Sequence, residues 1–393
     1  MSLPVLFDLI SCEQGSNIAV ATLNKPEALN AIDLQMVNLL LVQLQAWQDN
    51  DDIAMVVLDS REDKAFCAGG DVVSMYQAMQ QQAGKRAPGH QNTPSAIPDM
   101  MQTFFSQEYK LDYLIHTYPK PILVWGNGII MGGGLGLMAG ASHRIATETA
   151  RIAMPEVSIG LFPDVGGSWF LNRMPNGCGR FLGSTGASID ASDAHYLGLA
   201  DHVIEHANKA KLLAQLKASS WTQSNAENAN VLTQICNQFA KSDLKTGPVA
   251  AHQQLISDLD QHSSVTDYVS AISQLDVGDD KWLKKARDGV AYGSPITLYL
   301  VEQQLRRGAQ LSLADCFKME LIMACRCATY GEFQEGVRAL LIDKDRSPQW
   351  AFDSVTRVDE HTINEFFNAP WNEQSHPLKD LGGSSLQSSV TGE

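Results

Sequence analysis

The sequence predicts an α/β protein, with parallel sheet layers and crossover helices in its N-terminal half and a helical region behind them. Three observations carry this. Strand-like and helix-like apolar patterns alternate as far as about residue 205. From about residue 206 the strands stop and the apolar spacing becomes helical, as in Thr297 to Leu305 and Asp315 to Cys327. The 393 residues give room for two or three domains at roughly 150 residues each. With 44% hydrophobic and 19% charged residues, a disordered or collagenous chain is excluded.

Taken in order, Ile18 to Leu23 reads as a strand, and Asp33 to Trp47 as a helix whose Asp can cap it. Ile53 to Leu58 is a continuous apolar run of buried-strand length, followed by the turn Ala68-Gly69-Gly70-Asp71 and a helix-like segment. Gln80 to Pro98 is polar and carries three consecutive glutamines, and reads as an exposed insertion or loop. Pro121 to Ser142 is long enough to cross a bilayer, but its seven glycines and two leading prolines (Pro119, Pro121) suit a continuous helix poorly. It reads instead as a buried strand to Trp125, a glycine-rich loop, and a small-residue helix from about Leu135. Arg144 to Thr147 is a further strand.

The 29 basic and 44 acidic side chains leave a formal charge of −15, which argues against broad nucleic-acid binding. Seven cysteines (Cys12, Cys67, Cys178, Cys236, Cys316, Cys325, Cys327) form no paired framework and point to a reducing compartment. No CxxC, HExxH or Cys/His cluster supports a metal site. The first basic residue is Lys25, so a secretory or transit signal is not evident, and a cytoplasmic location with no membrane partner is expected.

Two glycine turns follow apolar strands, at Gly69-Gly70 and at Gly132-Gly133-Gly134. They could converge two backbone N–H groups on one oxygen, or simply let strand pack closely on helix. Gly134-Leu-Gly136-Leu-Met-Ala139 also fits a dinucleotide fingerprint, with Glu156 about twenty residues on. Against that, six residues, Gly126 to Met131, stand between the strand ending at Trp125 and the glycine run that opens at Gly132. No GxxxxGK[ST] and no GxSxG occur. Glu156 and Asp164 lie eight residues apart in an apolar, Pro/Gly-punctuated stretch, where raised pKa values would suit proton transfer. On the residues alone, a cap and a turn are the simpler account of that pair. Cys67 is expected to be a buried structural thiol, and His143 and His195 to be structural or surface residues.

Leu23-Asn24-Lys25-Pro26-Glu27-Ala28-Leu29-Asn30-Ala31, Lys64 to Asp71 and the Gly132 triplet together resemble the enoyl-CoA hydratase/isomerase (crotonase) superfamily. MPEVSIGLFPDVGGSWFL, STGASIDASDAHYLGLADHVI, GSPITLYLVEQQLRRG and EFQEGVRALLIDKDRSPQW are similar to its 3-hydroxyisobutyryl-CoA hydrolase branch. The resemblance spans about residues 15 to 370. It implies a crotonase-like ββα spiral core with a helical C-terminal region: an acyl-CoA-binding core over 1–205, helices over 206–375 and a disordered tail over 376–393.

The resemblance further implies that Gly70 and Gly133 supply the oxyanion-hole N–H groups, and that Glu156 and Asp164 are the acidic pair. Glu108, in Phe-Phe-Ser-Gln-Glu-Tyr, is implied to line the substrate site. Hydratases carry a catalytic glutamate where this chain has Gly136, which favours thioester hydrolysis over hydration. The implied reaction is hydrolysis of 3-hydroxyisobutyryl-CoA, or a related β-hydroxyacyl-CoA, as in valine breakdown. Neither metal nor separate cofactor is expected, because coenzyme A belongs to the substrate. Enoyl-CoA hydratase/isomerase activity is the alternative, and an NAD-dependent dehydrogenase or an inactive acyl-CoA binder stands behind it. Lys25 and Lys64 are candidate phosphate contacts, and a homo-oligomer is possible.

Overall fold

The computed structural model describes residues 3–13, 15–83 and 97–383. The strands are β1 (Val5–Ser11), β2 (Asn17–Leu23), β3 (Ile53–Ser60), β4 (Ala65–Cys67), β5 (Ile122–Gly126), β6 (Ile129–Met131), β7 (His143–Ala146), β8 (Arg151–Ala153) and β9 (His202–Val203). Among them run α1 (Leu34–Gln48), α2 (Val72–Ala83), α3 (Asp99–His116), α4 (Gly133–Ala139), α5 (Gly167–Phe170), α6 (Cys178–Thr185) and α7 (Ala191–Tyr196). The C-terminal helices are α8 (Lys209–Ala218), α9 (Asn225–Phe239), α10 (Pro248–Ala251), α11 (Gln253–Asp260), α12 (Val265–Ser273) and α13 (Lys281–Tyr292). They continue with α14 (Pro295–Gly308), α15 (Leu313–Tyr330), α16 (Glu332–Val337) and α17 (Glu360–Glu365).

The strands form two sheets, in the orders β1-β2-β3-β5-β7-β9 and β4-β6-β8, and from β3 onward successive strands alternate between them. Among the pairings of these named strands, β1–β2 alone is antiparallel. Each turn of the spiral therefore adds one strand to the large sheet, one to the small sheet, and then a helix. This is the expected ββα core.

The central strands of the large sheet are buried on both faces, which is why β3 and β5 read as unbroken apolar runs. Side chains alternate along each strand. Val56, Leu58, Ile122 and Val124 enter the main core with Leu40 and Leu44 of α1. Met55, Val57, Leu123 and Trp125 face Leu212, Leu216, Leu232 and Ile235 of α8 and α9. Burying each of these larger side chains is worth about 1.5 to 3 kcal/mol. Asp33 caps α1 as expected, accepting from the Met36 N–H at 2.9 Å.

Several expectations need correction. The glycine run is not one loop: residues 129–131 form β6, and the small-residue helix starts at Gly133 rather than Leu135. Three residues are too few to print a strand pattern. Gln80 to Ala83 continue α2, since glutamine is a good helix former, and the rest of the expected loop, 84–96, lies outside the described residues. Of the tail expected from residue 376, the first part packs: Leu378 is 1% exposed and the His376 imidazole lies 3.2 Å from the Lys318 carbonyl. Residues 384–393 lie outside the described residues. No described helix is long and apolar enough to cross a membrane.

Candidate active site

The three strands of the small sheet are parallel, so their C-terminal ends emerge side by side, the usual place for a ligand in such sheets. β4 runs into Gly69-Gly70, β6 into the Gly132 triplet, and β8 into Met154-Pro155-Glu156. Segments far apart in sequence thus meet around one cavity of about 260 Å³. Gly70, Gly133, Glu108, Glu156 and Asp164 all line it.

The Leu23–Ala31 motif is the buttress of the first glycine turn. Asn30 donates from Nδ2 to the carbonyls of Ala65 (3.1 Å) and Phe66 (3.2 Å). The Ala68 N–H bonds to Leu29 O, Ile32 N–H to Gly69 O and Asp71 N–H to Ile32 O. This stitching leaves the intervening Gly70 N–H with no acceptor among the described residues. The Gly133 N–H, in the first turn of α4, is likewise unengaged among them. The preceding Gly132 has φ +48° and ψ −123°, a conformation that glycine alone adopts without strain. A β-carbon built on Gly133 would lie 3.6 Å from the Gly70 nitrogen, so the two amides are neighbours.

Around these amides sits a group of buried carboxyls. Glu156 is 5% exposed, and its Oε1 lies 2.7 Å from where a Gly132 β-carbon would be, while its Oε2 has no hydrogen-bond partner among the described residues. It is not the cap of the short turn Glu156–Ile159, which follows Pro155 and has no side-chain cap bond among the described residues. Burial, and then the charge of Asp164, push its pKa well above the ordinary value. Glu108 is raised by burial and by Asp112, Asp164 and Glu156. Asp164 accepts a 2.6 Å hydrogen bond from the Tyr109 hydroxyl, which offsets part of the burial effect and leaves its pKa at about 6. None of the ion pairs among the described residues involves these acids.

The loop that carries Asp164 is held from the C-terminal helices. Gln304 of α14 donates to Pro163 O at 2.7 Å, and Glu320 of α15 accepts from the N–H groups of Gly166 and Ser168, both at 2.8 Å. Val165 between them has φ +51°, an unfavourable value for a β-branched residue that costs on the order of 1 to 3 kcal/mol. The C-terminal part also contributes Leu340 and Leu341 to the cavity wall.

Sequence reasoning missed Tyr109, Asp112, Gln304, Glu320 and this Leu340-Leu341 wall. Asp112 had a readable signal, an acid one turn after Glu108 among Phe104, Phe105, Leu111 and Ile115. It also qualifies the inference drawn from Gly136. A β-carbon there would lie 3.0 and 3.1 Å from the two Asp112 oxygens, so an acid from α3 borders that volume.

The other candidates separate from the site. Cys67 is fully buried and its thiol is pushed up to about 12, so it is no nucleophile near neutral pH. Lys25 is paired with Asp33 at 2.9 Å and with Asp71 at 3.8 Å. Lys64 lines a second cavity with Pro26, Leu29 and Glu62. The dinucleotide fingerprint ranks below the oxyanion reading because of its distance from Trp125, yet only Gly132 and Gly133 stand between the end of β6 and its first glycine, Gly134. What opposes it is that Glu156 packs against Gly132. Among the described residues no group of three or more His, Cys, Asp or Glu is arranged to hold a metal ion.

Residues 18–367 match the enoyl-CoA hydratase/isomerase family model. The chain belongs to this family. It is 34% identical over 361 residues to the mitochondrial 3-hydroxyisobutyryl-CoA hydrolase of Danio rerio, covering 91% of this chain and 88% of the relative. To the 3-hydroxyisobutyryl-CoA hydrolase 1 of Arabidopsis thaliana it is 31% identical, covering 90% of each. Among solved structures, a carnitinyl-CoA dehydratase from Mycobacterium thermoresistibile superposes with a TM-score of 0.79 at 29% identity, covering 93% of this chain and 97% of that one. An enoyl-CoA hydratase from Rhodobacter sphaeroides gives 0.77 at 28%, covering 93% and 98%.

Proposed function

We propose that the protein hydrolyses the thioester of 3-hydroxyisobutyryl-CoA, or of a closely related β-hydroxyacyl-CoA, to the free acid and coenzyme A. The observation that carries the chemistry is the pair of unengaged amides, Gly70 and Gly133, sharing a cavity with the Glu156 carboxyl. In this reading the thioester oxygen sits between the two N–H groups, which stabilise its developing negative charge. Such donors are worth about 3 to 4 kcal/mol each where they have been removed.

Glu156, ionised, either takes a proton from a water that attacks the carbonyl carbon, the C–S bond breaking and the departing thiolate receiving that proton, or attacks the carbon itself, expelling the thiolate and forming an anhydride that water then hydrolyses to the free acid and the Glu156 carboxylate, the thiolate taking one of the protons released. Its raised proton affinity suits a base working near neutral pH. Asp164, oriented by Tyr109, positions the substrate hydroxyl or the water, and Glu108 meets the acyl end. Lys64 is the candidate for a coenzyme A phosphate, whereas Lys25 is committed to carboxylates.

Hydrolysis is favoured over hydration by the curated hydrolases that align along nine-tenths of the chain at 31 to 34% identity. A valine-breakdown role follows from that substrate. The seven free, buried cysteines support a reducing compartment, and we propose the cytoplasm, while noting that the animal relatives are mitochondrial by name.

Incubation with 3-hydroxyisobutyryl-CoA and with crotonyl-CoA, titrating free thiol, tests the reaction. Thiol release from the first, lowered by orders of magnitude in Glu156→Gln with the fold intact, is the expected result. Loss of the crotonyl absorbance without thiol release, or near-normal turnover by the folded variant, overturns the reading.

A further inference from the structure

Asp112 is an acid with no task in the mechanism above. It is fully buried one turn behind Glu108 on α3, and neither of its carboxyl oxygens has a hydrogen-bond partner among the described residues. An unpartnered carboxyl in a core is costly, so packing alone does not account for it.

Its surroundings are set by the contact of α3 with α4. A β-carbon on Gly133 would lie 2.5 Å from Glu108 Oε1, one on Gly136 3.0 and 3.1 Å from the Asp112 oxygens, and one on Gly140 2.5 Å from His116 Cδ2. Residues 108, 112 and 116 thus lie in line along a glycine flank, at the helical i, i+4 spacing. Facing Asp112 are Glu108 on α3, Asp164, Glu320 on α15 and Cys67 on β4. His116 is held neutral, its pKa lowered to about 4 by burial and by Arg144 and Arg173. The sequences of α1 and α4 contain no charged residue, and Tyr76 is the titratable group of α2.

Glu108 lies against Gly133, beside the place proposed for the oxyanion. An ionised Glu108 would oppose the charge that forms there, whereas its neutral acid would not. Two acids one turn apart in a dry interior hold their last shared proton to higher pH than one alone, because like charges cannot both ionise cheaply.

We propose that Asp112 is a positioning residue that keeps one proton on the Glu108–Asp112 pair, so that Glu108 meets the oxyanion site as a neutral acid. This rests on the thioester-hydrolase reading, and the test separates the two. Asp112→Asn preserves size and removes the ionisation. In infrared titration of the full chain, the protonated-carboxyl band that the wild type keeps is lost about one pH unit or more lower in the variant. The alkaline limb of kcat for thiol release moves down by a similar amount, with KM little changed. Glu108→Gln, which removes the other half of the pair, shifts the same band and serves should Asp112→Asn fail to fold. Identical titration of the band in wild type and both variants, or a superimposed alkaline limb in a turning-over enzyme, overturns the proposal. If the band shifts but no thiol is released, the pair stands and the hydrolase reading falls.

Discussion

The Tyr109 hydroxyl is the group that holds Asp164 close to useful ionisation. Burial alone drives the Asp164 pKa upward, and the 2.6 Å hydrogen bond from Tyr109 pulls it back to about 6. Tyr109→Phe removes that donor without changing the ring, so the Asp164 pKa rises further and its ionised form is lost at higher pH. The acid limb of the rate profile for thiol release is therefore expected to move up, by about one unit if the bond is worth 1 to 2 kcal/mol. An unmoved acid limb would detach Asp164 from turnover. At this scale Gly70, Gly133, Glu108, Glu156 and Asp164 were legible because each sits inside a motif. Tyr109 was hidden: its role is a contact across fifty-five residues, made when α3 meets the Asp164 loop.

Among the elements, α15 reaches into the core to accept both the Gly166 and Ser168 N–H groups on Glu320, an acid whose pKa burial lifts to about 8. Because this folded-state value lies above the ordinary one, the folded chain binds the extra proton between about pH 4.5 and 8. The resulting stabilisation is complete at the acid end of that window and is lost as pH rises through about 8. Asp164, raised to about 6, acts in the same direction over its own narrower window. The melting temperature should accordingly fall as pH is raised from 5 to 8.5, and Glu320→Gln should flatten that slope. A slope unchanged by the variant would contradict the assignment. The long strands and α1 announced themselves through apolar runs and a capping Asp, whereas β4, β6 and β8 are three residues each and become strands only by pairing with one another. Their invisibility in the sequence is what made the Gly132 triplet look detached from a strand.

For the whole molecule, the ββα spiral explains why motifs separated by dozens of residues belong to one site: each turn returns the chain to the small sheet, and the three strand ends deliver Gly70, Gly133 and Glu156 together. The helices beyond residue 206 are part of that construction, covering the large sheet with α8 and α9, fixing the Asp164 loop through Gln304 and Glu320, and closing the cavity with Leu340 and Leu341. Their helical character was legible, but their bearing on the site was not, because it lies in single side chains whose partners are more than a hundred residues away. The central claim is that a thioester carbonyl is gripped by the Gly70 and Gly133 amides beside Glu156. The most direct measurement is a crystal structure of Glu156→Gln with 3-hydroxyisobutyryl-CoA bound. The account predicts the thioester oxygen within hydrogen-bond reach of both amide nitrogens, with the residue 156 side chain facing the carbonyl carbon. A bound thioester whose oxygen lies away from both amides would contradict it.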